Sequence, residues 1–280
     1  MVKHPTLASR RCHRAVRRVL CGLMLWLLVG GELPVSAGYT NRVAEAAGAV
    51  SESELHRLGQ LLSETKARYA AAPANAESAW RFGRPCFEWA DAATNDTQRA
   101  EVANQGIEAY RQALQRQPHL AAAHYYLGLK LGVLARGETS RALKLVRQME
   151  AEFKATIELD PSFNYAGPHR ALGLLYQDAP GWPISLGSRK RAREQLLKAV
   201  ELAPDFPENQ LCWLEACLEW GDKRAAESAA RVAAEVLTKA RSRFTGSEWS
   251  AAWRDWDSRF ARAQARIKGP DSKLRSPRDV

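Results

Sequence analysis

Arg81, Tyr125 and Arg170 are the side chains in this 280-residue chain best suited to holding a ligand. A guanidinium presents a planar fork of donors that matches a carboxylate. The implied chemistry is recognition of a carboxylate-bearing peptide or a small organic acid. Trp182, in a segment dense in Pro and Gly, could close over it. Signatures of catalysis do not compete with this. Beyond the N-terminal segment the histidines are His56, His119, His124 and His169. None stands in His-Glu-x-x-His or another spacing that gathers metal ligands on one face. There is no Gly-x-Ser-x-Gly elbow and no phosphate loop. Glu150 and Glu152 fall on an ordinary helix surface and need no glycosidase reading. Cys86, Cys212 and Cys217 form no Cys-x-x-Cys pair, and an odd number implies no closed disulfide framework. All three are expected in the core. The chain is therefore expected to be no enzyme, with no catalytic residue, metal or cofactor.

These side chains need elements to aim them. Alanine runs at 70–72 and 121–123, with few β-branched stretches, point to helix throughout. The helices repeat. A tetratricopeptide unit of about 34 residues places Trp-x2-Leu-Gly-x2-Tyr in one helix, Ala-x3-Phe in the next, and then Pro. Its small residues let two helices approach and its large ones fill the gaps, so the spacing encodes packing. Residues 75–245 hold four approximate units. The first opens with Trp80 and Phe87, has Gly83-Arg84 in place of Leu-Gly, and closes before Pro118. The second has Leu127-Gly128 and Leu131, an insertion expected as its own helix at 140–149, then Phe153 and Pro161. The third has Leu172-Gly173, Tyr176, a loop at 177–188, then Ala192, Leu196, Ala199 and Pro204. The fourth begins near Glu208, with Trp213-Leu214 at the pair, Gly221-Asp222 at the turn and Ala226 in its second helix. Pro118, Pro161 and Pro204 are 43 residues apart, twice over, as insertions require. By repeat equivalence Arg81, Tyr125, Arg170 and Leu211 face inward, along the concave surface of a solenoid. The expected fold is all-α, a tetratricopeptide-type helical-hairpin solenoid with capping helices.

The flanks read as caps and tails. Residues 38–74 form a linker and a capping helix, with Leu55, Leu58, Leu61, Leu62 and Tyr69 along one side. Residues 246–267 form a second cap: Ser247 starts a helix whose stripe of Trp249, Trp253, Trp256 and Phe260 seals the end of the repeats. A partner-binding groove is the other reading of that stripe. Residues 268–280 are expected to be a disordered tail. Residues 1–37 carry six Lys or Arg, an apolar run at 19–29 and small residues at Val35-Ser36-Ala37, the layout of a secretory signal cut after Ala37. An uncleaved membrane anchor and a mitochondrial presequence are the rival readings; lipidation at Cys21 fits poorly. Periplasmic or secreted localisation follows, with membrane contact only through an uncleaved anchor. Loss of that segment would lower the formal net charge from +10 to near +5. The remaining charges are scattered, and a nucleic-acid surface needs a clustered basic face. No nucleic-acid partner is expected.

Beyond the generic repeat, residues 79–82, 123–128, 142–146 leading into 157–161, and 171–176 followed by a Pro-rich loop and 196–200 are similar to one branch of tetratricopeptide proteins. That branch comprises the regulator-of-microtubule-dynamics family and the TatT-type periplasmic proteins that accompany TRAP transporters. The resemblance covers roughly residues 75–220. It implies an all-helical fold, no catalysis, and interaction with another protein or a small ligand. The leading expectation is an exported adaptor or scaffold for protein–protein interaction. The alternative is a ligand-binding accessory of a solute (TRAP-type) transporter, with a pocket near Trp182.

Overall fold

The structure is a computed structural model that describes residues 52–92, 96–135, 142–246 and 249–269. The signal segment expected at 1–37 lies outside the described residues, as does the tail expected at 268–280 apart from Lys268 and Gly269. Ten α-helices and no strand occur among the described residues, which makes the fold all-α. No helix among them is long and apolar enough to cross a membrane. Two compact units meet in sequence at residues 159 and 160.

The first unit holds α1 (Glu52–Ala71), α2 (Ala76–Ala92), α3 (Asp96–Arg116), α4 (Ala121–Leu134) and α5 (Ala142–Leu159). Asn75 starts α2 by accepting from the Glu77 and Ser78 amides, donors the first turn leaves without helical partners. The helices pair as α2 with α3 and α4 with α5, while α1 covers α2. Leu62 and Tyr69 of α1 pack on Phe82, Cys86 and Ala109, which buries part of the apolar side of α1. The insertion expected as a separate helix at 140–149 is instead the front half of α5. No Gly or Pro interrupts residues 142–159, so nothing ends the helix between them.

The second unit holds α6 (Phe163–Asp178), α7 (Arg189–Leu202), α8 (Pro207–Glu219), α9 (Lys223–Ala240) and α10 (Ser250–Lys268). Ser188 caps α7, Pro207 stands at the start of α8, and Asp222 caps α9 after Gly221 turns the chain at φ +69°. Helix α6 begins abnormally. Asn164, Tyr165 and Ala166 all have left-handed backbone, with φ of 51°, 57° and 55°. Asn tolerates this, but for Tyr and Ala it costs on the order of 1–2 kcal/mol each. Helix α10 starts at Ser250 with Trp249 as its N-cap, later than the sequence suggests, and Ser247 lies outside the described residues. Trp249 and Trp256 are buried with Phe206 and Phe244, and Trp253 donates to the Phe244 carbonyl at 2.7 Å. The aromatic stripe therefore fills the core of its own unit.

One device recurs in three hairpins. Gly83 faces Tyr110, Gly128 faces Phe153 and Gly173 faces Leu196, each so closely that a methyl group would sit within 2.7–2.8 Å of the opposing side chain. Those glycines are 45 residues apart. The first unit thus keeps the small position even though Gly83-Arg84 replaces its Leu-Gly pair.

Candidate functional site

The four residues singled out as ligand contacts divide between the two units, Arg81 and Tyr125 in the first and Arg170 and Trp182 in the second. Tyr125 is wholly buried, edge-on to Tyr126 at 5.3 Å and beside Phe153. Arg170 also has no exposed surface. Its Nη1 donates to the Tyr165 carbonyl at 3.1 Å and to Asn209 Oδ1, and its guanidinium lies 5.4 Å from the Phe206 ring centre. It braces the left-handed turn of α6 from inside, while the Tyr165 ring stacks on Phe206 at 4.4 Å. Leu211 is buried too. Arg81 is exposed and pairs with Glu77 one turn back at 2.8 Å, a contact worth a few tenths of a kcal/mol. Trp182 is 89% exposed. The error lies in register. Tyr125 and Arg170 each stand three residues ahead of a close-contact glycine, and residues three apart share a helix face. They follow that glycine into the packing. Arg81 stands two ahead of Gly83, on another face, and reaches solvent.

Two histidines singled out as repeat equivalents, His124 and His169, tie the two helices of successive hairpins together. His124 Nδ1 meets Glu152 Oε2 at 2.6 Å, and its Nε2 meets the Pro118 carbonyl at 2.8 Å. Both partners accept, so the charged ring suits this site, and the Glu152 bond raises its pKa above the ordinary 6.5. His169 Nδ1 meets the neutral Gln195 Oε1 at 2.7 Å, and burial lowers its pKa below 6.5. The signs of the linkage are opposite. The His124 contribution is complete below pH 6.5 and disappears as pH rises through its raised value. The His169 contribution is complete above pH 6.5 and declines as pH falls toward its lowered value. Urea midpoints across this range should separate them. His124→Gln costs most in acid, on the order of 1 kcal/mol, and little in alkali. His169→Gln costs relatively more at neutral and alkaline pH.

Glu152 also borders a groove of the first unit. This cleft of about 450 Å³ runs between α3 and α5 over α4. Leu114, Leu127 and Leu131 line it, with Arg111, Gln115, Gln148 and Glu152 among its polar neighbours. Composition and motif searching miss it, because its walls come from three helices and none of its residues belongs to a chemical signature. In the second unit a cleft of about 520 Å³ lies at the left-handed turn, between Asn164, Tyr165, Phe206 and Arg243. Elsewhere in that unit, arginines of α7 lie over aromatic rings: Arg191 over Tyr176 at 3.7 Å, Arg189 over Trp220 at 5.3 Å, Arg193 over Trp213 and Trp220 at 5.4 Å. Arg193 also pairs with Asp222 at 2.8 Å, and this pair holds the Asp222 carboxyl below its usual pKa.

Cys86, Cys212 and Cys217, the cysteines among the described residues, are buried free thiols. Burial pushes Cys86 up to about 12 and Cys217 to about 11, with Cys212 higher still, which leaves negligible thiolate at neutral pH. Among the described residues no group of three His, Cys, Asp or Glu is placed to hold a metal ion.

A comparison with curated proteins finds no match. The family described as regulator of microtubule dynamics protein 1-3 matches residues 43–173, which takes in all five helices of the first unit and the start of α6. Among solved structures, a thermophilic TPR protein from Thermus thermophilus superposes with a TM-score of 0.54 at 20% identity, over 76% of this chain and 94% of that one. That likeness shows the fold. The chain is a tetratricopeptide-like helical repeat protein that resembles the regulator-of-microtubule-dynamics family.

Proposed function

We propose that the chain is an exported, non-catalytic adaptor whose groove between α3 and α5 receives an apolar segment of another protein. The groove carries this reading: two helix ridges stand over a leucine-lined floor, with side chains of both charge signs at the rim. An amphipathic helix suits such a surface, its apolar residues at i, i+3, i+4 and i+7 reaching the floor while its polar flanks meet Arg111 and Glu152. Repeat folds spend their regular side chains on packing and present extended surfaces for recognition. Export rests on the basic, apolar and small-residue order of residues 1–37. It places the partner in the envelope or outside the cell. The transporter-accessory alternative depends on Arg170 and Trp182 meeting one organic acid. No observation favours it, because Arg170 is wholly buried and Trp182 stands at a loop tip.

The test is a photo-crosslinking amino acid placed at Gln115 and, separately, at Gln148 in the exported protein. The expected result is one and the same cross-linked protein from both positions, lost when exposed Ala151 in the groove becomes Arg, and a mature N-terminus at Gly38. A folded protein that cross-links at neither position overturns the adaptor reading. An intact N-terminus overturns cleavage of the signal.

A further inference from the structure

The loop between α6 and α7 places apolar side chains where the fold gives them nothing to cover. Trp182 is 89% exposed and Ile184 is 47% exposed, two residues apart in the loop. The base of the loop is tightly built. Gly181 and Gly187 pair across it, and a methyl group on Gly187 would lie 2.0 Å from the Ala179 carbonyl. Four of the loop's backbone amides are satisfied within it or by α6. The amides of Ile184 and Ser185 donate to the Gly181 carbonyl, Gly187 to Pro180, and Ser188 to Tyr176. Its tip can therefore enter a medium poor in hydrogen-bond partners without stranding those donors.

Immediately after the loop come Arg189, Lys190, Arg191 and Arg193, with no acidic residue in the first turn of α7. Cations at a helix N-terminus oppose the helix dipole, so they are not there to stabilise the helix. Arg191 is held on Tyr176 and Arg193 on Asp222. Lys190 is exposed, as is Arg189, which lies over the Trp220 ring at 5.3 Å. Asp222 is engaged with Arg193 and Glu219 with Gln177, while exposed Glu194 stands one turn on from Lys190.

We infer that this loop docks the protein on a bilayer with anionic headgroups: Trp182 and Ile184 enter the interface while Arg189 and Lys190 meet the headgroup charge. Trp is favoured at that depth, where an apolar ring body and a polar N–H face different surroundings. A protein hot spot is normally ringed by contacts that exclude water, whereas these side chains project beyond their surroundings. The inference goes beyond the adaptor reading, and its surface is separate from the groove between α3 and α5.

The test uses the full chain with an environment-sensitive fluorescent amino acid encoded at position 184, and a control version with it at exposed Val232 on α9. The probe at 184 reports locally, so membrane attachment through the N-terminal segment alone does not imitate the signal. Vesicles of phosphatidylcholine with phosphatidylglycerol should shift its emission to the blue. Pure phosphatidylcholine should shift it little, and 1 M salt, which shortens the screening length to about 3 Å, should reverse it. Arg189→Gln with Lys190→Gln should weaken the response about 25-fold, since each cation near an anionic surface contributes about fivefold. No shift with anionic vesicles, or an equal shift at position 232, overturns the proposal. A shift produced by a soluble polyglutamate peptide but not by vesicles would overturn it in favour of an acidic protein partner.

Discussion

Arg259→Ala lowers the stability of the second unit by about 3–5 kcal/mol, measured as the shift in urea unfolding free energy. The guanidinium of Arg259 is 9% exposed and meets three carboxylates. Its Nε and Nη2 reach the two oxygens of Glu215 at 2.9 Å, and its Nη1 reaches Glu208 at 2.7 Å and Asp255 at 3.3 Å. Burial draws its proton affinity down, and the charges of Glu208 and Glu215 more than restore it. Glu208 is 1% exposed and also accepts from the Trp256 indole at 2.8 Å. Removing the arginine leaves that carboxylate buried beside two others with its countercharge gone. The large expected cost comes from the stranded charge, since an intact buried pair contributes little net stability. Combining Arg259→Ala with Glu208→Gln should therefore recover part of the loss, and the double variant should be more stable than the sum of the two single effects predicts. A loss below about 1 kcal/mol would mean that the pair does not hold α10 to α8.

This cluster shows where sequence reading succeeds in this chain and where it ends. The α-helical class and the helical repeat were legible because they rest on local spacing: Leu172-Gly173 with Tyr176, the Pro118, Pro161 and Pro204 endings, and the aromatic stripe that includes Trp256. Each is a pattern within one or two helices. Arg259 meets Glu208 and Glu215 across 51 and 44 residues, and no pattern announces such a meeting. The candidate ligand contacts failed for a finer reason. One residue of register decides whether a side chain follows the glycine face, as Tyr125 and Arg170 do, or reaches water, as Arg81 does. Arg170 also serves a left-handed turn at Asn164–Ala166 that interrupts an otherwise helical pattern, and neither Tyr165 nor Ala166 is a residue type that marks such backbone. Loop geometry was out of reach in the same way. Trp182 was identifiable as unusual, but its 89% exposure depends on how Gly181 and Gly187 close the loop.

The second large effect belongs to the glycine device. Phe153→Ala costs about 3–5 kcal/mol, since the ring is wholly buried against Tyr125 and its loss opens a cavity. Gly128→Val costs about 3 kcal/mol in the opposite way, by overpacking. Its Cβ would stand 2.7 Å from Phe153 Cε1 and 3.0 Å from Cδ1, and a ring packed on all sides cannot swing aside. Helix propensity works against this result, because any side chain stiffens a helix that glycine leaves loose, by about 0.5–1 kcal/mol for alanine. A measured loss therefore reports contact, not propensity. The two changes should compensate. With Phe153 shortened to Ala, the added Val occupies part of the vacated space, and the double variant should be about 2 kcal/mol more stable than additivity predicts. The same cycle at Gly173 and Leu196 should recover less. There the added carbon also meets the Leu196 backbone nitrogen at 3.1 Å, which trimming the side chain does not move. Additive costs at both pairs would show that the glycines do not set the distance between the two helices of each hairpin.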